Sequence, residues 1–265
     1  MNIVLTSGIL AISIDLDLDV QRRGGDQQRS LETIGRQLSD LLAQYHLPAT
    51  WAVADPAVSA ATDRILATNP AHEIAILGDR TWVGPEADRP RFARELTRRA
   101  TRGRTAGLAI STLLLRGTEL DSHLDLAVKQ GITAVARAEA TPGTKWFVRT
   151  RPEIAPLRFG LWQLPTQIAL PSERDWRIWR SPARQARTEL ARAIAEHEVF
   201  HLSINGLAAA ESSRSTLRTL DRLLIDVARG RESGLLVVET VAATARRLSG
   251  SRQAKPARSI LQPAA

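Results

Sequence analysis

Short apolar runs alternate with amphipathic, helix-length segments along most of the chain, and this alternation restricts the fold more than any other feature. Ile9-Leu10-Ala11-Ile12-Ser13-Ile14 is short, apolar and rich in isoleucine, the signature of a buried strand. Residues 30–45 repeat apolar side chains at helical spacing (Leu31, Ile34, Leu38, Leu41, Leu42), with Ser30 as an N-cap. The rhythm continues with a strand at 50–54, a helix at 57–67 stopped by Asn69-Pro70, a strand at 72–77 and a basic helix at 86–102. A strand at 108–115, a helix at 120–130 closed by Gly131 and a strand at 132–136 follow. After a break it resumes: helix 182–195, strand 199–204, helix 213–229, strand 235–238, helix 241–248. Strands separated by helices imply parallel neighbours, because a parallel connection must cross back over the sheet. The expectation is one α/β domain over residues 1–248, a distorted (β/α) barrel of about seven βα units.

The break is residues 141–180, punctuated by Pro142, Pro152, Pro156, Pro165 and Pro171 and rich in tryptophan. It reads as an irregular insertion packed on one end of the barrel. Residues 249–265 are polar, basic and Pro-containing, the composition of a disordered tail.

The first strand runs into Asp15-Leu16-Asp17-Leu18-Asp19. Alternate residues of a strand share a face, so the three carboxylates would point the same way and repel one another. They need a cation, a network of donors or open solvent at the strand mouth. A solvated strand end answers that need; so does a catalytic or metal-binding carboxylate set.

Composition narrows the choice. Cysteine is absent, which rules out disulfides and thiolate metal sites and fits a reducing compartment, so a cytoplasmic location is expected. No basic leader precedes the first apolar run, and no stretch approaches the roughly 20 apolar residues of a membrane span. The net charge is +8, carried almost wholly by arginine, with lysine only at 129, 145 and 255. Those arginines are spread over helices (Arg91, Arg94, Arg98, Arg102; Arg184, Arg187, Arg192), as expected of solvated faces. No zinc-finger or RNP pattern is present, so a nucleic-acid partner is not expected.

Five segments, in order, resemble the polysaccharide deacetylases (NodB homology, carbohydrate esterase family 4). Ile12-Ser13-Ile14-Asp15 resembles the family's first-strand TFDD motif, and Leu47-Pro48-Ala49-Thr50-Trp51-Ala52-Val53 its second strand. Ala71-His72-Glu73-Ile74-Ala75 is similar to its GHEIA, Lys129-Gln130-Gly131-Ile132 to a helix end before a later strand, and Val199-Phe200-His201-Leu202 to its final motif. The resemblance covers roughly residues 9–248 and implies a NodB-like barrel that removes acetyl groups from N-acetylated sugars. In that family an Asp and two His hold a divalent metal, usually zinc. A second Asp is the base and a late His the acid.

Carried over position by position, the resemblance puts the base on Asp15. The metal ligands fall on Leu16, Leu77 and Thr81, and the acid falls on Asn205. Leucine has no lone pair to offer and threonine is a poor zinc ligand. Arg116 is the candidate for the family's arginine. Asp17, His72, Arg116 and His201 are candidate binding residues, although His72 and His201 also read as hydrogen-bonded structural histidines. The expected function is a deacetylase-like protein of carbohydrate metabolism that is noncatalytic or divergent, with no cofactor. The insertion's Trp and Arg residues suit a carbohydrate partner. Two alternatives stand beside it. One is an active, metal-dependent N-deacetylase built on Asp15 and Asp17, whose oxygen-rich site would suit Mg or Mn. The other is a Mg-dependent phosphotransferase, from the Asp-x-Asp at the first strand's end.

Overall fold

The computed structural model describes residues 5–17, 25–57, 60–84, 87–120, 122–140, 154–171 and 181–253. Its elements are β1 (Gly8–Leu16), α1 (Gly25–Gln44), β2 (Thr50–Val53), α2 (Ala60–Thr68), β3 (Glu73–Asp79), α3 (Arg89–Thr105), β4 (Thr112–Arg116), α4 (Leu124–Lys129) and β5 (Ala134–Ala140). There follow β6 (Ala155–Pro156), β7 (Trp162–Thr166), β8 (Ile168–Leu170), α5 (Pro182–Glu196), β9 (Val199–Asn205), α6 (Gly206–Glu211), α7 (Ser213–Glu232), β10 (Leu236–Glu239) and α8 (Val241–Gln253).

The strands form one sheet in the order β6-β7-β5-β4-β3-β2-β1-β9-β8, with β10 on β1. Every pairing is parallel except the short β6–β7 pair. Only Gln167 separates β7, which pairs with β5, from β8, which pairs with β9. One bent segment therefore draws the two ends of the sheet together. The seam is tied by the Gln167 side chain, which accepts the His201 N–H at 2.6 Å, and by the Ser203 hydroxyl, which donates to the Ala138 carbonyl at 2.8 Å. The parallel, curled α/β sheet expected from the alternation is what the chain forms.

Strand periodicity sorts the core into two layers. Leu10, Ile12, Ile14 and Leu16 of β1 pack outward on Leu31, Ile34 and Leu38 of α1. Ile9 and Ala11 face inward with Ala52, Ala75, Ala134, Ala136 and Ala138. Alanine dominates that interior because a narrow barrel leaves little room on its axis. Each fully buried Leu or Ile of the outer layer contributes about 1.5–3 kcal/mol. Val241, Ala245 and Leu248 of α8 belong to the inner cluster and close the amino-terminal end of the barrel. Glu73 anchors that plug: it accepts the Thr50 hydroxyl at 2.9 Å and the Ala242 N–H at 3.1 Å, a carboxylate at a helix N-terminus.

Four expectations are corrected. The helix expected at 30–45 begins at Gly25, and Ser30 lies within it, its hydroxyl bonded to the Asp26 carbonyl at 2.9 Å rather than capping. Part of the supposed irregular insertion supplies β6, β7 and β8 and so belongs to the sheet; 141–153 and 172–180 lie outside the described residues. The six-residue α6 follows β9 directly, where no helix was expected. The last helix runs to Gln253, because Ser249 faces the barrel and accepts the Trp162 indole N–H at 2.8 Å; the rest of the expected tail lies outside the described residues. No helix among the described residues is long and apolar enough to cross a membrane.

Candidate functional site

Parallel strands deliver all their carboxyl ends to one rim. There the structure gathers Asp15 from β1 and Asp17 just after it, Asp79 from the end of β3, Arg116 from the end of β4 and Asn205 from the end of β9. Asp15 is completely buried. The Arg116 guanidinium grips it with two bonds, Nε to Oδ2 at 2.5 Å and Nη2 to Oδ1, and its Nη1 donates to Asp17 Oδ2 at 2.7 Å. The carboxylate repulsion implied by the sequence is thus answered, for Asp15 and Asp17, by a cation from the protein itself; Asp19 lies outside the described residues. Burial alone would pull the Arg116 pKa down, but Asp15 and then Asp17 outweigh it and hold the guanidinium above its ordinary range. A planar fork on a carboxylate is the geometry arginine favours most.

None of the positions that the resemblance assigns to metal ligands presents a histidine or a carboxylate. Leu16 points to the opposite face from Asp15 and packs in the outer layer against α1. Leu77 is 4% exposed and lies in the inner apolar cluster. The Thr81 hydroxyl donates to Asp79 Oδ1, and the Thr81 N–H to the same oxygen at 2.8 Å, closing a turn after β3. Among the described residues no three His, Asp or Glu side chains converge as metal ligands would. The donors present among the described residues do not fit a zinc centre of His and Asp ligands.

The two histidines are not at this rim. His72 precedes β3 and so lies near the opposite end, its Nδ1 accepting the Ala49 N–H at 3.0 Å and its ring edge-on to Trp51. His201 lies inside the barrel with Nε2 2.8 Å from the Ser13 hydroxyl and Nδ1 3.3 Å from that of Thr166. Burial lowers both imidazole pKa values to about 4. Asn205 caps α6, its Oδ1 accepting the Ala208 N–H at 3.1 Å. The next residue must be small: a Cβ on Gly206 would lie 2.4 Å from the Asp15 carbonyl oxygen.

A second buried guanidinium braces the neighbouring loops. Arg99 of α3 donates to the Ala54 carbonyl at 2.7 Å, lies 4.5 Å over the Trp82 ring and meets Glu95 at 3.1 Å. Burial is the main influence on it and lowers its pKa. Trp51, Trp82 and Trp162 are all buried and serve packing, whereas Trp146, Trp176 and Trp179 lie outside the described residues. Sequence reasoning missed Arg99, Gly206, and Ser13 and Thr166 as the partners of His201. Only Ser13 carried a signal, two residues before Asp15 and hence on its face.

No protein-family model matches the sequence, and neither does any curated protein. Among solved structures the chain is similar to a protein of Mycobacterium smegmatis described as a "putative polysaccharide deacetylase". The two superpose with a TM-score of 0.65 at 15% identity, over 95% of this chain and 96% of that one, so the polysaccharide-deacetylase barrel is the fold they share.

Proposed function

We propose that this chain is a noncatalytic relative of the metal-dependent carbohydrate deacetylases, one that keeps their barrel and their base position and holds that base with arginine. The observation that carries the reading is the loss of donors at the metal-ligand positions, where Leu16 packs in the outer layer, Leu77 lies in the inner apolar cluster and Thr81 is bonded to Asp79, while Arg116 engages both oxygens of Asp15. A carboxylate with both oxygens engaged and no exposure is poorly placed to take a proton from water. The same engagement argues against Asp15 as the nucleophile of a phosphotransferase. The fold shared with a deacetylase-like neighbour, together with the sequence resemblance, supports a carbohydrate ligand at the rim. The Cys-free sequence fits a cytoplasmic setting.

Metal analysis of the purified protein, with acetate release from chitin oligomers, tests the reading. It expects no stoichiometric divalent metal and no acetate. Bound metal accompanied by acetate release that vanishes in Asp15→Asn would establish the active, nonstandard deacetylase instead.

A further inference from the structure

Helix α7 carries a crest of arginine whose countercharges have been drawn off to its flanks. Arg214, Arg218, Arg222 and Arg229 recur at helical spacing on its outward side, all exposed. Neither of the neighbouring carboxylates serves the crest as a whole. Asp221 accepts the hydroxyl of Tyr45, the residue after α1, at 2.8 Å. Asp226 is held by Arg187 of α5 at 2.7 Å and reaches only Arg229, at 3.6 Å. The side chains of Arg214, Arg218 and Arg222 pair with no carboxylate among the described residues. On α3 the similar stripe is partly neutralised, because Arg98 and Arg102 both meet Asp55.

Between Arg222 and Arg229 the crest presents Ile225, 38% exposed and one of only three large hydrophobic side chains that the described residues leave in water. We propose that the outer face of α7 docks on an anionic lipid surface. Three unneutralised arginines about 6 Å apart along the helix suit a layer of phosphate headgroups, which guanidinium forks bind well. An isoleucine among them suits the apolar layer beneath. A charged polymer would use the arginines but offers nothing to Ile225. The crest also lacks the aromatic rings on which single-stranded nucleic acid stacks.

Vesicle flotation with the 265-residue chain tests this. Binding is expected to vesicles containing phosphatidylglycerol, not to phosphatidylcholine alone, and to weaken with salt. Each lost arginine should weaken it about five-fold, so Arg214→Gln/Arg218→Gln/Arg222→Gln should abolish it. Ile225→Asp should weaken it as well, while Arg91→Gln/Arg94→Gln on α3 should leave it intact. Thermal unfolding of each variant separates lost binding from lost folding, and Ile225→Asp and the glutamine variants are surface changes expected to fold. Failure of the parent to bind anionic vesicles overturns the proposal. So does undiminished binding by the folded triple variant, or duplex DNA binding through the same arginines without vesicle binding.

Discussion

Replacing Arg116 with alanine should destabilise the protein by about 3–5 kcal/mol, because it leaves a carboxylate in a site closed to water. The magnitude follows from the two halves of the bridge. Asp15 has no exposed surface and receives two of the three guanidinium bonds, so it cannot recover its hydration when they are lost. Asp17 is 21% exposed, and its share is about 0.5–1 kcal/mol. Urea unfolding at pH 7 would measure the loss as a shift in midpoint at constant slope. Removing both charges is a different matter. Asp15→Leu/Arg116→Met replaces the pair with hydrocarbon beside an inner layer that is already apolar, and should lie within about 2 kcal/mol of the parent. Arg116→Ala within 1 kcal/mol of the parent, or a double variant as unstable as the single one, would refute the view that this bridge satisfies a buried charge.

Three further outcomes are expected. His72 and His201 have folded pKa values of about 4 against an ordinary 6.5, so the unfolded chain binds more protons between those values. Their contribution is intact above pH 6.5 and fades toward pH 4, by about 3 kcal/mol for the fully buried His201; pH-dependent urea unfolding should show this, and His201→Gln should flatten it. Gly206→Ala should cost about 1–3 kcal/mol by the same assay, since its Cβ would meet backbone that cannot swing aside. Glu73→Ala removes the acceptor at the start of α8 and should cost about 2 kcal/mol, with faster amide exchange in that helix than elsewhere.

The parts of this fold that were legible in the sequence are those fixed by local pattern. The isoleucines of β1, the leucine stripe of α1 and Gly131, in the left-handed conformation at φ 75° behind α4, all follow from spacing and backbone freedom. The 155–170 stretch was not legible. Its prolines read as breakers, yet Pro165 lies in β7, a strand that lies at the sheet's end and carries only a two-residue partner on its far side. The site was legible in part. The facing of Asp15 and Asp17 follows from strand alternation, whereas Arg116 stands 101 residues beyond Asp15, and no local rule says that the end of β4 lies across the rim from β1. His72 misled in the opposite way. Its motif suggests the site, but it stands at the start of a strand whose other end forms the rim, about 20 Å further on.

The substitutions at the rim agree with one another. A zinc ion needs roughly four donors arranged around it. Among the described residues no such set converges here: Leu77 contributes hydrocarbon from β3, and the Thr81 hydroxyl is turned to Asp79. A guanidinium asks for less, because its charge is spread over a plane that needs acceptors along its edges and tolerates apolar contact on its faces. Two carboxylates beside an apolar wall match that plane. Arg116, reaching across the rim from β4, fills the match with three bonds, and this is why a chain without the histidine ligands can still bury Asp15 as an ion.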